Sequence, residues 1–242
     1  MRPVTKGESP IKGDFAEYED AGPSLISRLG RYCSYCERRI ATNLAVEHIQ
    51  PKGLPKYAAL ERTWNNFLLA CVNCNSTKGD DDVLLDQHYL PDRDNTAVAF
   101  EYLPDGTVHQ RQGDLIGERT LALTGLNKPI REVFDENGRR VAMDRVADRM
   151  EVWGIALEFK ADLDANRITR EGIVRAAIGH GFFSIWLTVF DGNTPMRRML
   201  IDGFGSGASY RGFAGTARDC FDGNTRPISP RPANALEGSG KI

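Results

Sequence analysis

Four cysteines fall in two Cys-x-x-Cys pairs, Cys33/Cys36 and Cys71/Cys74, with the dipeptide Glu47-His48 between them and Asn75 directly after the last cysteine. Two such knuckles supply the four soft ligands of a closed tetrahedral zinc site. Adjacent-pair disulfides or a redox Cys-x-x-Cys are the alternatives, but a redox reading uses one pair and explains neither the other nor Glu47-His48. The residues left over are a carboxylate, an imidazole and an amide. Mg²⁺ takes oxygen ligands and keeps several waters, so the Glu47 carboxylate and the Asn75 amide oxygen suffice as the protein's share of a Mg²⁺ or Mn²⁺ site. Histidine titrates near neutrality and suits a base that takes a proton from water. Such a set fits phosphodiester hydrolysis, which needs an activated water and charge relief at the phosphate. Thirty-four residues lie between Cys36 and Cys71, more than the roughly 15–20 of a simple zinc ribbon. The extra length is what a hairpin carrying its own active site requires.

Composition limits the setting. Hydrophobic residues are 41% of the 242, ordinary for a globular chain. No run nears the ~18 apolar residues of a membrane span. The opening MRPVTKGESPIKGDF lacks the apolar segment of a secretory signal, so a cytoplasmic protein without membrane association is expected. There, paired cysteines are more often metal ligands than disulfides. A net charge of −2 argues against nonspecific coating of nucleic acid. Locally, Arg28, Arg31, Arg38, Arg39, Lys52 and Lys56 stand against Glu37 and Glu47, a surplus of four positive charges. Beside a phosphate-handling site that surplus reads as nucleic-acid backbone contact, with Arg38, Arg39 and Lys52 as candidates; a solvated basic face is the plain alternative.

These groups need elements to hold them. Residues 41–50 are rich in branched side chains and predict a strand ended by Pro51; residues 67–70 predict a second strand paired with it. From Asn75 the chain turns into a short helix, giving two strands and a helix wrapped around metal. In a flat strand Glu47 and His48 point to opposite sides, so both serve one site only if the strand is twisted or bulged.

Residues 1–24 hold three prolines (Pro3, Pro10, Pro23) and an acidic patch at Glu17, Glu19 and Asp20. They read as an arm without a core of its own, docking on the domain or on a partner. Residues 25–30 read as one helical turn. Residues 97–102 and 107–110 read as a hairpin around Asp105-Gly106, and residues 115–126 as a helix. Residues 129–163 read as one long amphipathic helix, or two broken near Asn137-Gly138. Residues 173–178, 182–190 and 196–204 follow as helices, the middle one apolar nearly all round and so buried. From Asp222 the composition predicts a disordered tail. The expected fold class is α+β: an arm (1–24), a zinc-stapled domain with the following hairpin (25–112), a mainly helical domain for partner or substrate (113–221) and the tail (222–242).

As a pattern, Cys33-x-x-Cys36, Val46-Glu47-His48-Ile49-x-Pro51-Lys52 and Trp64-x-Asn66-Phe67-Leu-Leu-Ala-Cys71-x-x-Cys74-Asn75-x-x-Lys78-Gly79 resembles the HNH endonucleases in order and spacing. More narrowly it is similar to the PtuB-type HNH nucleases of Septu antiphage systems and their retron-associated relatives. The likeness is strong over the motif and continues weakly to about Asn127. It implies a ββα-metal, treble-clef-like fold and metal-dependent hydrolysis of DNA. His48 matches the first H, the general base. Asn66 matches the middle N, which orients that histidine through its backbone or side chain. Asn75 stands where many members have a second histidine and, with Glu47 in place of the commoner aspartate, would ligate the catalytic metal. Lys78 would touch the phosphate or stand as a solvated helix-end lysine. By the same analogy an ATPase would sense or gate the nuclease, and the helical domain, lacking a basic cluster, would bind it.

Other conspicuous residues have plain readings. His88, His109 and His180 read as structural or surface residues and Cys220 as a small buried hydrophobe. Trp153, Trp186 and Phe182-Phe183 read as core rather than as a base-stacking platform. The leading expectation is an HNH endonuclease acting in antiphage defence. A stand-alone restriction-type nuclease is the alternative within enzymes. A non-catalytic zinc-stapled binding module is the rival from another class, and it gives no reason to keep Glu47, His48 and Asn75 together.

Overall fold

A hairpin carries the Glu47-His48 dipeptide. The computed structural model of the chain describes residues 1–128, 133–134, 136, 140–141, 145–205 and 212–228. Strands β1 (Ala45–His48) and β2 (Phe67–Ala70) pair antiparallel, with Ala45 opposite Ala70, Glu47 opposite Leu68 and His48 opposite Phe67. The Phe-Leu-Leu-Ala run of β2 is buried at every position, as a continuous apolar strand must be. β1 is shorter than the expected 41–50 because Asn43 takes a left-handed φ of +58°, which no strand accommodates. Helix α1 (Gly22–Leu29), with Pro23 in its first turn, is longer than the single turn expected and packs on β2. Helix α2 (Val72–Lys78) starts where the Cys71 sulfur accepts from the Cys74 amide at 3.4 Å. It ends at Gly79, whose φ of +52° suits glycine.

Beyond the hairpin the elements are mixed. Residues 96–99 form a one-turn helix, α3 (Thr96–Ala99), because the Asn95 side chain caps the Ala97 amide. The expected hairpin then follows as β3 (Phe100–Tyr102) and β4 (Val108–Gln110). Helix α4 (Leu115–Thr124) begins at Asp114, whose carboxylate accepts from Ile116 and Gly117, and stops at left-handed Gly125. The expectation of a helix from residue 129 is corrected. β5 (Val133–Phe134) and β6 (Arg140–Val141) pair antiparallel, and α5 (Arg145–Asp164) starts only afterwards. Val133 and Val141, opposite each other, are β-branched and favour extended backbone. The expected break at Asn137-Gly138 lies outside the described residues. Helices α6 (Arg170–His180), α7 (Phe183–Val189) and α8 (Thr194–Asp202) follow. α7 is buried nearly throughout and is packed by α5, α6 and α8, as its apolar sequence demands. Among the described residues no helix is long and apolar enough to cross a membrane.

The first residues thread into this body: Met1, Arg2, Val4 and Lys6 are all buried. The Arg2 guanidinium donates to Leu29 O at 2.9 Å and to Thr216 Oγ1 at 3.0 Å. The Lys6 ammonium donates to Phe67 O at 2.7 Å and Asn65 O at 3.0 Å, and pairs with Asp92 at 3.0 Å. Of the tail, Thr225 is buried and its carbonyl accepts from Arg197 at 2.7 Å, while Gly223, Asn224, Arg226 and Ile228 are exposed. Residues 229–242 lie outside the described residues.

Candidate active site

The two knuckles close on one another. After Cys36 the chain reverses through Glu37, which holds a left-handed φ of +64° while its amide donates to Cys33 O at 3.0 Å. β2 delivers Cys71, and the first turn of α2 delivers Cys74. The four sulfurs lie within 4.8 Å of one another, all buried and none in a disulfide. That is the donor set of a closed tetrahedral site for a soft or borderline cation, so these residues fit a structural metal. Hydrogen bonds from the neighbouring thiols hold the Cys71 pKa far down, while burial pushes that of Cys33 up. Arg145, buried at the start of α5, donates to Cys74 Sγ at 3.2 Å and to Thr124 O at 2.8 Å. It sets a guanidinium against sulfurs that become anionic on binding a metal. Arg38 of the first knuckle pairs with Asp148 at 2.6 Å, so α5 is bonded to both knuckles.

Strand alternation turns His48 away from Glu47. The imidazole stands edge-on to Tyr18 and Phe67, with ring centroids 4.7 and 5.3 Å away. Its Nε2 lies 2.8 Å from Glu61 O. A carbonyl only accepts, so Nε2 carries the proton and Nδ1 keeps its lone pair. Burial lowers the imidazole pKa, partly opposed by the Glu61 bond, and the neutral ring prevails at neutral pH. Asn66 acts one step back. Its Oδ1 accepts from Gln50 N at 2.8 Å, and its Nδ2 donates to Gln50 O at 2.9 Å and Leu60 O at 3.3 Å. It therefore ties both ends of the loop between the strands, and holds the residue before Glu61.

Glu47 points the other way, into the protein. Its Oε1 accepts from Tyr35 Oη at 3.4 Å and pairs with Lys78 Nζ at 3.0 Å. The same ammonium donates to His48 O at 2.9 Å. Burial raises the Glu47 pKa, and the nearby Lys78 charge opposes that rise. Asn75 is half-buried on α2, three residues before Lys78 and so on the same helix face. The oxygens of Glu47 and Asn75 fit a hard cation by type, and the Lys78 ammonium is a stand-in showing that the Glu47 carboxylate accepts a positive neighbour.

The four basic candidates separate. Lys52 lies 3.9 Å over the Tyr18 ring and 3.5 Å from the Glu61 carboxylate, beside the histidine. Arg39 is exposed on the first knuckle. Arg38 is engaged by Asp148, and Lys78 is buried on Glu47. Tyr18, Tyr35, Arg145 and the Glu61 carbonyl escaped sequence reasoning. Tyr18 sits in the acidic arm, Tyr35 is a spacer between cysteines, and Arg145 is 71 positions from its sulfur. A backbone carbonyl carries no residue-type signal at all. The other histidines make local contacts, His88 to Leu84 O, His109 to Thr107 Oγ1 and His180 to Ala176 O.

Comparison with known proteins accords with this geometry. Residues 33–81 match the family model described as HNH endonuclease. The chain is 23% identical over 198 residues to the Septu protein PtuB of Bacillus mycoides (strain KBAB4), a match covering 64% of this chain and 65% of that protein. The chain thus spans less than two thirds of that relative's length. No solved structure matches. Residues 33–81 are thus similar to the HNH endonuclease family, and the longer match is to a PtuB protein.

Proposed function

We propose that the chain is a divalent-metal-dependent endonuclease that hydrolyses phosphodiester bonds of DNA as the effector of an antiphage defence system. The observation that carries this reading is the His48 imidazole, its proton fixed on Nε2 by the Glu61 carbonyl and its Nδ1 lone pair left for water. His48 Nδ1 takes a proton from the attacking water, and the hydroxide so formed bonds to phosphorus. The P–O bond to the sugar breaks, and the leaving oxygen takes a proton from solvent. A Mg²⁺ or Mn²⁺ ion held by the Glu47 carboxylate and the Asn75 amide oxygen would supply charge relief at the phosphate and the leaving oxygen once the Glu47 carboxylate, which here faces Lys78 and away from His48, turns to the side of the imidazole. Asn66 keeps the Leu60–Glu61 segment in place, and with it the orientation of the base.

Zn²⁺ at Cys33, Cys36, Cys71 and Cys74 staples the hairpin to α2. Lys52 and Arg39 meet the DNA backbone first; Arg38 and Lys78 join only after leaving Asp148 and Glu47. Residues 113–221 act as a helical domain that binds an ATPase partner in the cytoplasm; what supports a defence role is the likeness to a Septu protein. The test is incubation of zinc-loaded protein with supercoiled plasmid and with single-stranded DNA, alone and with a co-purified partner. Nicked and linear products that need Mg²⁺ or Mn²⁺ and vanish with EDTA are expected. Metal-independent products would refute the reading.

A further inference from the structure

Lys78 is an unusual neighbour for a carboxylate that is to hold a metal. A lysine at the end of a short helix ordinarily keeps its ammonium in water. Here the side chains of Lys78 and Glu47 are each only 2% exposed. Nζ bridges two successive residues of β1, at 3.0 Å from Glu47 Oε1 and 2.9 Å from His48 O. Tyr35 Oη completes the surroundings of the same carboxylate oxygen. An ammonium and a divalent cation cannot both sit against one buried oxygen, because like charges a few ångströms apart repel strongly where water is excluded. α2 presents both Asn75, the second oxygen donor, and the ammonium that competes with the metal.

We infer that Lys78 is a built-in cation occupying the catalytic-metal position of the resting protein, so that a divalent ion binds at Glu47 only as the Lys78 ammonium leaves. The inference rests on the reading of Glu47 as a metal ligand. A lysine that has left the carboxylate still carries its charge on a four-carbon arm, and a phosphate of bound DNA is the anion that would receive it. Metal and polyanion therefore bind cooperatively, each making the other's binding easier. Divalent metal alone binds weakly, which keeps the hydrolytic site unassembled until nucleic acid arrives.

The test reads metal binding rather than cleavage, on zinc-loaded full-length protein; Mn²⁺ does not displace zinc from four thiolates. Titration calorimetry compares Mn²⁺ binding by wild type, Lys78→Met and Glu47→Gln. Lys78→Met is expected to bind on the order of tenfold more tightly than wild type, and Glu47→Gln not at all. Unchanged or weaker binding by folded Lys78→Met would overturn the inference. Because Lys78→Met leaves a buried carboxylate without its partner and can unfold, a second measurement uses wild type. Lysines are acylated with a succinimidyl ester and Lys78 labelling is read by mass spectrometry. Lys78 is expected to be protected without metal and several-fold more labelled with saturating Mn²⁺. Bound Mn²⁺ with Lys78 still protected would overturn the displacement while leaving Glu47 as a ligand. Mn²⁺ bound by neither wild type nor Lys78→Met would overturn both readings.

Discussion

His48 Nε2 and the carbonyl oxygen of Glu61 lie 2.8 Å apart, joining the end of β1 to a segment thirteen positions further along. Asn66 holds that segment by the preceding carbonyl, that of Leu60, at 3.3 Å. The orientation of the base is thus set by a chain of two hydrogen bonds, one from a buried amide and one from the imidazole itself.

Asn66→Ala removes three hydrogen bonds and leaves Gln50 N and Gln50 O to find other partners, while Leu60 O keeps the Thr63 amide at 3.3 Å. A loss of about 2–4 kcal/mol in urea unfolding is expected, together with a fall in cleavage rate of about 10- to 100-fold. Wild-type cleavage by this variant would show that the Glu61 carbonyl keeps its place without the amide.

The pH dependence follows from burial of His48, which lowers its pKa below the ordinary 6.5. The base form already prevails at neutral pH, so the cleavage rate should rise with pH, reach half its maximum below 6.5 and be flat above 7. The same shift bears on stability. The unfolded chain binds the proton more readily, so this contribution is present above 6.5 and is lost as pH falls through the folded-state value. A cleavage midpoint above 7 would contradict the assignment of His48 as the base.

The metal staple should be separable from the catalytic residues. Cys71→Ser is expected to lose zinc and unfold the hairpin domain, since structural zinc contributes about 10 kcal/mol or more to folding in small fingers. Arg145→Met removes the bond to Cys74 Sγ and the bonds to Thr124 O and Gly125 O. It should release zinc to a chromogenic chelator several-fold faster than wild type while the resting protein stays folded. Equal release rates would mean that α5 does not support the site.

Lys6→Met tests how the first residues are anchored. Lys6 is fully buried, and burial lowers its pKa to about 8 against the opposing attraction of Asp92. Removing it leaves Asp92 with its Arg93 ion pair, takes a donor from the Phe67 carbonyl of β2, and leaves the Asn65 carbonyl with its bond from Arg93 at 2.9 Å. A destabilisation of about 3–5 kcal/mol is expected in denaturant unfolding. A change below 1 kcal/mol would show that this segment is not part of the core.

Much of the site is local in sequence, and that is why it was legible. The spacing within each cysteine pair and the start of α2 depend on neighbours a few residues away, and β1 and β2 pair in sequence order across one connection. What the sequence hid depends on long-range packing. The acidic arm read as peripheral, yet its opening residues are core and its Tyr18 packs on His48. Lys78 read as a phosphate contact or a solvated helix-end lysine, because only the fold brings it onto Glu47. Residues 133 and 141 carried enough apolar spacing to mimic a helix, while their β-branching pointed to strands.

Cleavage of supercoiled plasmid by wild type and His48→Ala, side by side in Mg²⁺ or Mn²⁺ and with zinc content measured on both, tests the central claim most directly. Removal of the general base is expected to slow metal-dependent cutting by about 100-fold or more, with zinc content and thermal unfolding unchanged. Cutting that survives His48→Ala, or a variant that loses its zinc, would contradict the account.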